Sequence, residues 1–406
     1  MNPSEVLRIV DAIHRDKRIN KETVFVGIEA AIATAVRRQY GEEAVVKIQV
    51  DRETGEITGS CNDEPIATSE LAERIGAQNA KQVMIQKIRE AERDAIFDEN
   101  TSQIDQLVSG AVDKIEGSNV IISMPGVIAV LPKAERIPGE SFRIGDRIRA
   151  IVTDVVKKGN RVNVLLSRIR PSFVQKLFEQ EIPEIQDAII EIKGVSREPG
   201  FRTKIAVYSS DQRVDCVGAC IGMRGNRIKN IMDELNNERI DVVPWNTDLQ
   251  LFIQDALKPA DIEEVILCSM LGRAIVLVKQ DNRSLAIGRR GQNVRLASRL
   301  VGWDIEIMTR EDLEELLEKA VEGYMLIEGI TTEIADRLVG EGFLSFDDLS
   351  IIEPDDLVQI GEISMEQAVS IIQQAEEYAQ KEENFKLQPK TENEDDNENI
   401  IEDKNE

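Results

Sequence analysis

A multidomain α+β chain, with several small domains in series, is predicted by three observations. At 406 residues the chain is too long for one hydrophobic core and has room for about three to five domains of ordinary size. A block of glycine-punctuated β-runs fills 109–168, between segments whose apolar residues recur at helical spacing. The pattern Ile-Gly-x-x-Gly-x-x-(Ile/Val) at 221–228 returns at 287–294, so Gly288 lies 66 residues after Gly222. That period suits a duplicated domain and is too long for a solenoid repeat.

The net charge of −25 would argue against a nucleic-acid partner if it were evenly spread. Lys and Arg minus Asp and Glu give −5 over residues 1–100, +3 over 101–310 and −23 over 311–406. A slightly basic middle section with clustered basic residues can hold an anionic polymer locally, even in an acidic chain. No stretch of eighteen apolar residues occurs, and the N-terminus MNPSEVLRIVDAIHRDKR carries charge where a signal peptide needs an apolar run. A soluble, cytoplasmic chain with no membrane contact is therefore expected. Four cysteines (Cys61, Cys216, Cys220, Cys268), no Cys-x-x-Cys and a single histidine supply neither a disulfide framework nor zinc spacing. Cys216 and Cys220 stand one helical turn apart and are read as small packing residues, not metal ligands.

In chain order, residues 3–40 read as two helices, with Val6, Ile9, Val10 and Ile13 on one apolar face and Val24, Ile28, Ala31, Ile32 and Ala35 on the next. Gly41 ends the second. AVVKIQV and GEITGSC flank Asp51-Arg52-Glu53-Thr54 as a hairpin, and after Pro65 a helix runs from about Ser69 through NAKQVMIQKIREAERDAIFDE. These elements make a first α+β domain, 1–104. The runs GAVDKI, NVIISM, VIAVLP, DRIRAIVTDVV and RVNVLLS then give five short strands, the texture of a small OB-type barrel over 105–170.

Residues 171–246 read as a helix from Pro171, strand AIIEIKGVS, a turn at Pro199-Gly200, strand TKIAVYS, helix 213–220, the glycine turn, helix 226–236 and strand RIDVVPW. Residues 247–310 repeat that order. Residues 311–380 are helical and acidic. The last segment, 381–406, contains TENEDDNENIIEDKNE and is too polar to bury a core, so a disordered tail is expected there.

Each glycine in a helix interior costs roughly 1 kcal/mol against alanine, so the two turns need a reason. A tight turn without Cβ atoms lets a sugar-phosphate backbone approach, and it points the N–H groups of the next helix at phosphate oxygens. On that chemistry the RNA-contacting set is Gly222, Met223, Arg224, Gly225, Arg227 and Lys229 in the first copy. In the second it is Gly288, Arg289, Arg290, Gly291, Gln292, Asn293, Arg295 and Arg299. The opposite face (Ile228, Ile231, Met232 and Leu235, then Val294, Ala297 and Val301) is spaced for burial. The chain has 16 aromatic residues, with Phe142 alone in the barrel block, so base stacking is scarce and backbone clamping with modest sequence preference is expected.

The order α-β-β-α-α-β around Gly-x-x-Gly resembles a type II KH domain, here twice in tandem, a module that clamps about four nucleotides by their backbone. Gly110-x-Val, GVIAVLPKAE, FRIGDRIRAIV and NRVNVLLSR resemble the S1-type RNA-binding barrel. IEGITTEIADRLVGEGF and IGEISMEQAVSII resemble the two hairpins of a helix-hairpin-helix module. With VGACIGMRGNRI, AIGRRGQNVRLAS, GWDIEIMT, IEIKGVSREPGFRTKIAV and NAKQVMIQKIREAER, the chain resembles the NusA family of bacterial transcription elongation, termination and antitermination factors over residues 1–380.

The resemblance implies a non-enzymatic monomer, without cofactor or metal, whose residues 1–104 bind core RNA polymerase near the RNA exit channel. Its S1 and KH domains would hold single-stranded nascent RNA, alongside other antitermination factors. For the acidic module, whose charge repels nucleic acid, it implies a protein partner, the C-terminal domain of the polymerase α subunit. The charge split leaves two readings of the acidic segment open: a fold-back over the Arg289–Arg299 strip that weakens RNA binding until a partner removes it, and a solvated acidic face.

An enzyme does not fit the inventory of motifs. Neither Gly-x-x-x-x-Gly-Lys-(Ser/Thr) nor Gly-x-Gly-x-x-Gly occurs, and His14 lies in a helical stretch suited to packing or the surface. Polynucleotide phosphorylase joins KH to S1 in the reverse order, behind a large catalytic core. A ribosome-associated or translational RNA-binding protein would use S1 and KH modules equally well, and the first hundred residues discriminate it from a polymerase-bound factor.

Overall fold

The computed structural model describes residues 3–17, 20–41, 44–62, 64–66, 78–159, 161–211 and 213–387. The chain divides into two compact units, residues 1–203 with 209–241 and residues 204–208 with 242–406.

In the first unit the amphipathic N-terminal pattern forms α1 (Pro3–Lys17) and α2 (Lys21–Tyr40) beside the strands β1 (Val46–Val50), β2 (Ile57–Cys61) and β3 (Glu64–Pro65). Val6, Val10, Val24, Ile28 and Ile32 bury against Val50 and Ile57. The hairpin closes where expected: Asp51 Oδ1 accepts from the N–H groups of Glu53 and Thr54 at 2.9 and 2.7 Å, and Val50 pairs with Ile57. The helix expected from Ser69 is described from Gln78 as α3 (Gln78–Thr101); 67–77 lie outside the described residues.

Each expected β-run of the next block is a strand. β4 (Leu107–Glu116), β5 (Asn119–Met124), β6 (Val127–Leu131), β7 (Arg147–Lys158) and β8 (Arg161–Ser167) close a barrel in the order β4-β5-β6-β8-β7. Inward residues such as Val120, Ile122, Leu131, Val152 and Val164 fill it, and closure leaves no open sheet edge. Gly110 is required by that closure, because a Cβ there would lie 2.5 Å from Ile122 Cγ2 and 2.8 Å from the Ser123 carbonyl oxygen. Phe142, the block's one aromatic, packs against the barrel core and so offers no free stacking platform.

After the barrel come α4 (Pro171–Glu181), α5 (Pro183–Gln186), β9 (Ile190–Glu198), β10 (Arg202–Ser209), α6 (Cys216–Ile221), α7 (Asn226–Glu234) and β11 (Arg239–Pro244), with sheet order β11-β10-β9. Pro171 and Pro183 start their helices, where the missing N–H has no partner to lose. Two ion clusters lie inside this part of the unit. Arg197 and Glu238, both side chains fully buried, pair at 2.9 Å. Arg168, 4% exposed, donates to Glu140 at 2.7 Å and to Glu234 at 2.8 Å, while Arg149 reaches Glu234 at 2.6 Å. Glu234 ends α7, so these arginines fasten that helix to the barrel.

The second unit contains α8 (Leu249–Leu257), β12 (Glu264–Cys268), β13 (Arg273–Leu277), α9 (Gln280–Ile287), α10 (Gln292–Val301) and β14 (Asp304–Met308). β12 runs antiparallel and β14 parallel to β13. Side chains alternate across a strand, so Ala274 and Val276 face Phe252, Ile253, Ala286 and Ala297 of the helices. Cys268, Ile275 and Leu277 face the other way, onto Leu313 and Leu344.

Those leucines belong to the acidic helices α11 (Arg310–Tyr324), α12 (Thr332–Gly340), α13 (Phe346–Ser350), α14 (Pro354–Gly361) and α15 (Met365–Leu387). Gly329, at φ +101°, and Glu362, at φ +52°, mark the two expected hairpin turns. Arg273 forks onto Asp348 at 3.0 and 2.7 Å, and a Cβ at Gly342 would lie 2.2 Å from Cys268 Sγ. The acidic module is thus anchored to the sheet face opposite α9 and α10. This corrects the fold-back reading for the described residues. Burial of Leu313 and Leu344 with a half-buried ion pair acts at contact distance, whereas attraction to exposed arginines is screened within about 10 Å. α15 takes in 381–387 of the segment expected to lack structure, and 388–406 lie outside the described residues.

Candidate nucleic-acid interface

The two glycine turns are built alike from the backbone up. Asp215 caps α6 by accepting from the Gly218 N–H at 2.9 Å, and the helix stops at Gly222, whose φ of 74° and ψ of 173° suit glycine. A short 3₁₀ turn follows, with Arg224 at φ 53°, ψ 25° and Gly225 at φ 74°, ψ 16°, and the Gly225 N–H closes onto the Gly222 carbonyl at 3.1 Å. In the second copy Gly288 takes 76° and 172°, Arg290 54° and 33°, Gly291 71° and 16°, and the Gly291 N–H reaches the Gly288 carbonyl at 3.1 Å. Left-handed backbone costs a non-glycine residue roughly 1–2 kcal/mol, and both turns place an arginine there. Local strain of this kind, held twice in the same form, marks a functional site more often than a plain connection.

The helices that follow are set up to receive an anion. α6, α8 and α11 are capped by Asp215, Asp248 and Thr309; α7 and α10, like α4, have no side-chain cap and no acidic residue in the first turn, and both start at a bare glycine. The Asn226 and Gln292 N–H groups close onto the Met223 and Arg289 carbonyls, so what each helix start presents outward is the positive end of its dipole.

Of the expected residues, Met223 is 88% exposed, and Arg224, Lys229, Arg289, Arg290, Arg295 and Arg299 are exposed. Arg224, Lys229, Arg289, Arg290 and Arg299 have no carboxylate partner among the described residues. Gln292 is half-buried, and Arg295 reaches back to the Arg290 carbonyl at 3.3 Å.

Two residues depart from the expectation. Arg227 turns one nitrogen, Nη1, onto Glu184, at 2.9 and 3.1 Å, and onto the Ala219 carbonyl at 2.8 Å. A backbone hydrogen bond and the Arg227 guanidinium hold the Glu184 carboxyl below its usual range, against a burial that raises it. Asn293 is 1% exposed and donates to the Leu257 and Ala286 carbonyls. A sequence strip counts every polar residue after the turn as outward, but Asn293 is buried and Arg227, with 31% of its side chain exposed, bends one nitrogen back onto its own module. The glycines also divide. A Cβ at Gly222 or Gly288 would lie 2.8 Å from Arg227 Cγ or 2.7 Å from Asn293 Cβ, whereas at Gly225 or Gly291 the nearest atom is 4.0 Å away. The first glycine of each turn is required by packing, and the second faces open space.

The residues sequence reasoning missed are Glu184 and the carbonyls of Ala219, Leu257 and Ala286. Aligning the two copies would have flagged their partners, since Arg227 and Asn293 each stand five residues past the first glycine. Aromatic platforms are absent from the turns: Trp245 packs edge-on against Tyr208 at 5.3 Å, and Trp303 packs on the apolar core of the second unit. Burial pushes the Cys220 thiol up to about 12 and raises Cys216, so both read as packing residues. Among the described residues no group of acidic, histidine or cysteine side chains is arranged to hold a metal, and no helix is long and apolar enough to cross a membrane.

Three family models match: the NusA-like first KH domain over residues 168–245, the NusA-like second KH domain over 249–315 and the NusA N-terminal domain over 5–70. The chain is 36% identical over 415 residues to the transcription termination/antitermination protein NusA of Rickettsia conorii, covering 92% of this chain and 82% of that protein. Against the protein of the same description from Rickettsia prowazekii it is 36% identical over 412 residues, with the same coverage.

Proposed function

Because the chain belongs to the NusA family of transcription termination/antitermination proteins, we propose that it binds RNA polymerase and nascent RNA and modulates pausing, termination and antitermination. The observation that carries the RNA reading is the repeated turn: two uncapped helix N-termini, each preceded by a strained arginine and an outward glycine of the same backbone geometry. In this reading Arg224, Lys229, Arg289, Arg290, Arg295 and Arg299 face the phosphates. The second glycine of each turn lets the backbone approach. Exposed Met223 lies against the sugar-phosphate edge where the second copy has Arg289. The grip is on backbone more than on bases, since the tryptophans are committed to packing.

The finer assignments follow family logic. Residues 1–104 dock on core polymerase near the RNA exit channel, the acidic module meets the C-terminal domain of the α subunit, and the chain acts in the cytoplasm as a monomer with other antitermination factors. It carries no catalysis. Tagged chain recovered from cells is expected to bring RNA polymerase with it, and added to an elongation complex on a pause template it is expected to change the pause lifetime. Recovery with the small ribosomal subunit alone, and no effect on pausing, would place the chain in translation.

A further inference from the structure

Five residues beyond the first glycine stand Arg227 in one turn and Asn293 in the other. The side chains share neither charge nor size, yet they make the same connection. Arg227 lays its stem across Gly222 and uses one nitrogen, Nη1, to reach both the Ala219 carbonyl in α6 and the Glu184 carboxylate in α5. Asn293 sits against Gly288, and its Nδ2 donates to the Ala286 carbonyl in α9 at 3.1 Å and to the Leu257 carbonyl in α8 at 3.0 Å. Each side chain therefore ties together the helix before the turn, the helix after it and a helix that precedes the sheet of the same module.

We propose that Arg227 and Asn293 are positioning residues for RNA binding, which hold the glycine turns in their left-handed geometry and do not themselves touch RNA. The proposal rests on reading the turns as an RNA clamp. Its support is that an ionic brace in one copy and a neutral buried amide in the other give backbone angles that agree to better than ten degrees. Two chemistries converge on one shape, so the shape is the feature in common. A site whose supporting groups loosen by about 1 Å loses function while its contact residues remain in place.

The test uses the full chain and a mixed-sequence single-stranded RNA, well below the melting temperature of every variant. Arg227→Met keeps an apolar stem over Gly222 and removes the donors; Asn293→Leu keeps the volume and removes both hydrogen bonds. Each is expected to weaken binding roughly tenfold. For Arg227→Met the slope of log affinity against log salt stays at the wild-type value, whereas Arg224→Gln, which removes a charge aimed outward, lowers it by about 0.7.

Arg227→Lys keeps the charge and is the variant least disruptive to folding. It is still expected to lose severalfold, because the shorter lysine stem does not carry its nitrogen to where Arg227 Nη1 meets both the Glu184 carboxylate and the Ala219 carbonyl. Wild-type affinity in Arg227→Lys, or a slope in Arg227→Met lower by about 0.7, would overturn the proposal in favour of a direct phosphate contact. If the wild-type chain itself fails to bind the RNA, the clamp reading fails. Amide exchange at Gly225 and Gly291, whose N–H groups close the turns, then still reports whether the two side chains hold them: faster exchange in the variants supports the bracing role and unchanged exchange removes it.

Discussion

Replacing Gly225 and Gly291 together by aspartate is expected to lower the RNA affinity of the full chain by roughly a hundredfold, ~3 kcal/mol, and to leave it folded. The fold survives because a Cβ at either position meets no atom closer than 4.0 Å, and aspartate tolerates left-handed backbone better than most residues. The expected cost is about 1 kcal/mol per site, a drop of a few degrees in melting temperature. Affinity falls because each carboxylate stands at an uncapped helix N-terminus, where it takes the N–H groups for itself and repels phosphate.

Moving the same substitution three residues back reverses the balance. Aspartate at Gly222 or Gly288 would drive its Cβ into Arg227 or Asn293, so stability falls first and RNA binding is lost with the fold. Titrations of a labelled RNA, paired with thermal melts, separate the two classes. Wild-type affinity in the Gly225→Asp/Gly291→Asp chain would remove the turns from the RNA site.

The largest effect on stability is expected from Glu238→Ala. Glu238 accepts from Arg197 Nε and Nη2 at 2.9 Å, from the Gly200 N–H at 2.8 Å and from the Thr203 hydroxyl, with no exposed surface on either charged side chain. Removing it strands the arginine's charge in a buried site, which typically costs 3–5 kcal/mol. Arg197 Nη1 also donates to the Arg168 and Arg170 carbonyls, and Arg168 sits in the second buried cluster with Glu140 and Glu234, so the loss spreads toward the barrel. Arg197→Met/Glu238→Leu, which removes both charges, is expected to cost less than Glu238→Ala alone, because no buried charge is left unpaired. Denaturant melts of the three chains measure this, and a Glu238→Ala chain as stable as wild type would show the pair to be energetically idle.

The architecture was legible because its signals are local. Glycine-punctuated β-runs marked all five barrel strands, and the 66-residue repeat marked both turns with their helices and strands. What sequence could not separate was direction. Arg227 and Arg224 look equally basic in IGMRGNRI, but one side chain folds back onto Glu184 while the other has no carboxylate partner among the described residues. In the same way Asn293 reads as a polar surface residue until α8 supplies the Leu257 carbonyl from 36 residues upstream.

The acidic segment shows the limit of charge arithmetic. A net −23 near a basic strip left fold-back open beside a solvated face, and two leucines with the Arg273–Asp348 pair anchor the described part of the module on the opposite face of the sheet. Contacts between distant segments decide such outcomes, and they leave no periodic trace in the chain.

Photocrosslinking reads out whether the two glycine turns hold nascent RNA on a transcribing polymerase. A halted elongation complex carrying a photoreactive nucleotide in its emerging RNA, mixed with the full chain, is expected to give crosslinks at 222–229 and 288–299 that vanish in the Gly225→Asp/Gly291→Asp variant. Crosslinks confined to other segments, or unchanged in that variant, would contradict the account.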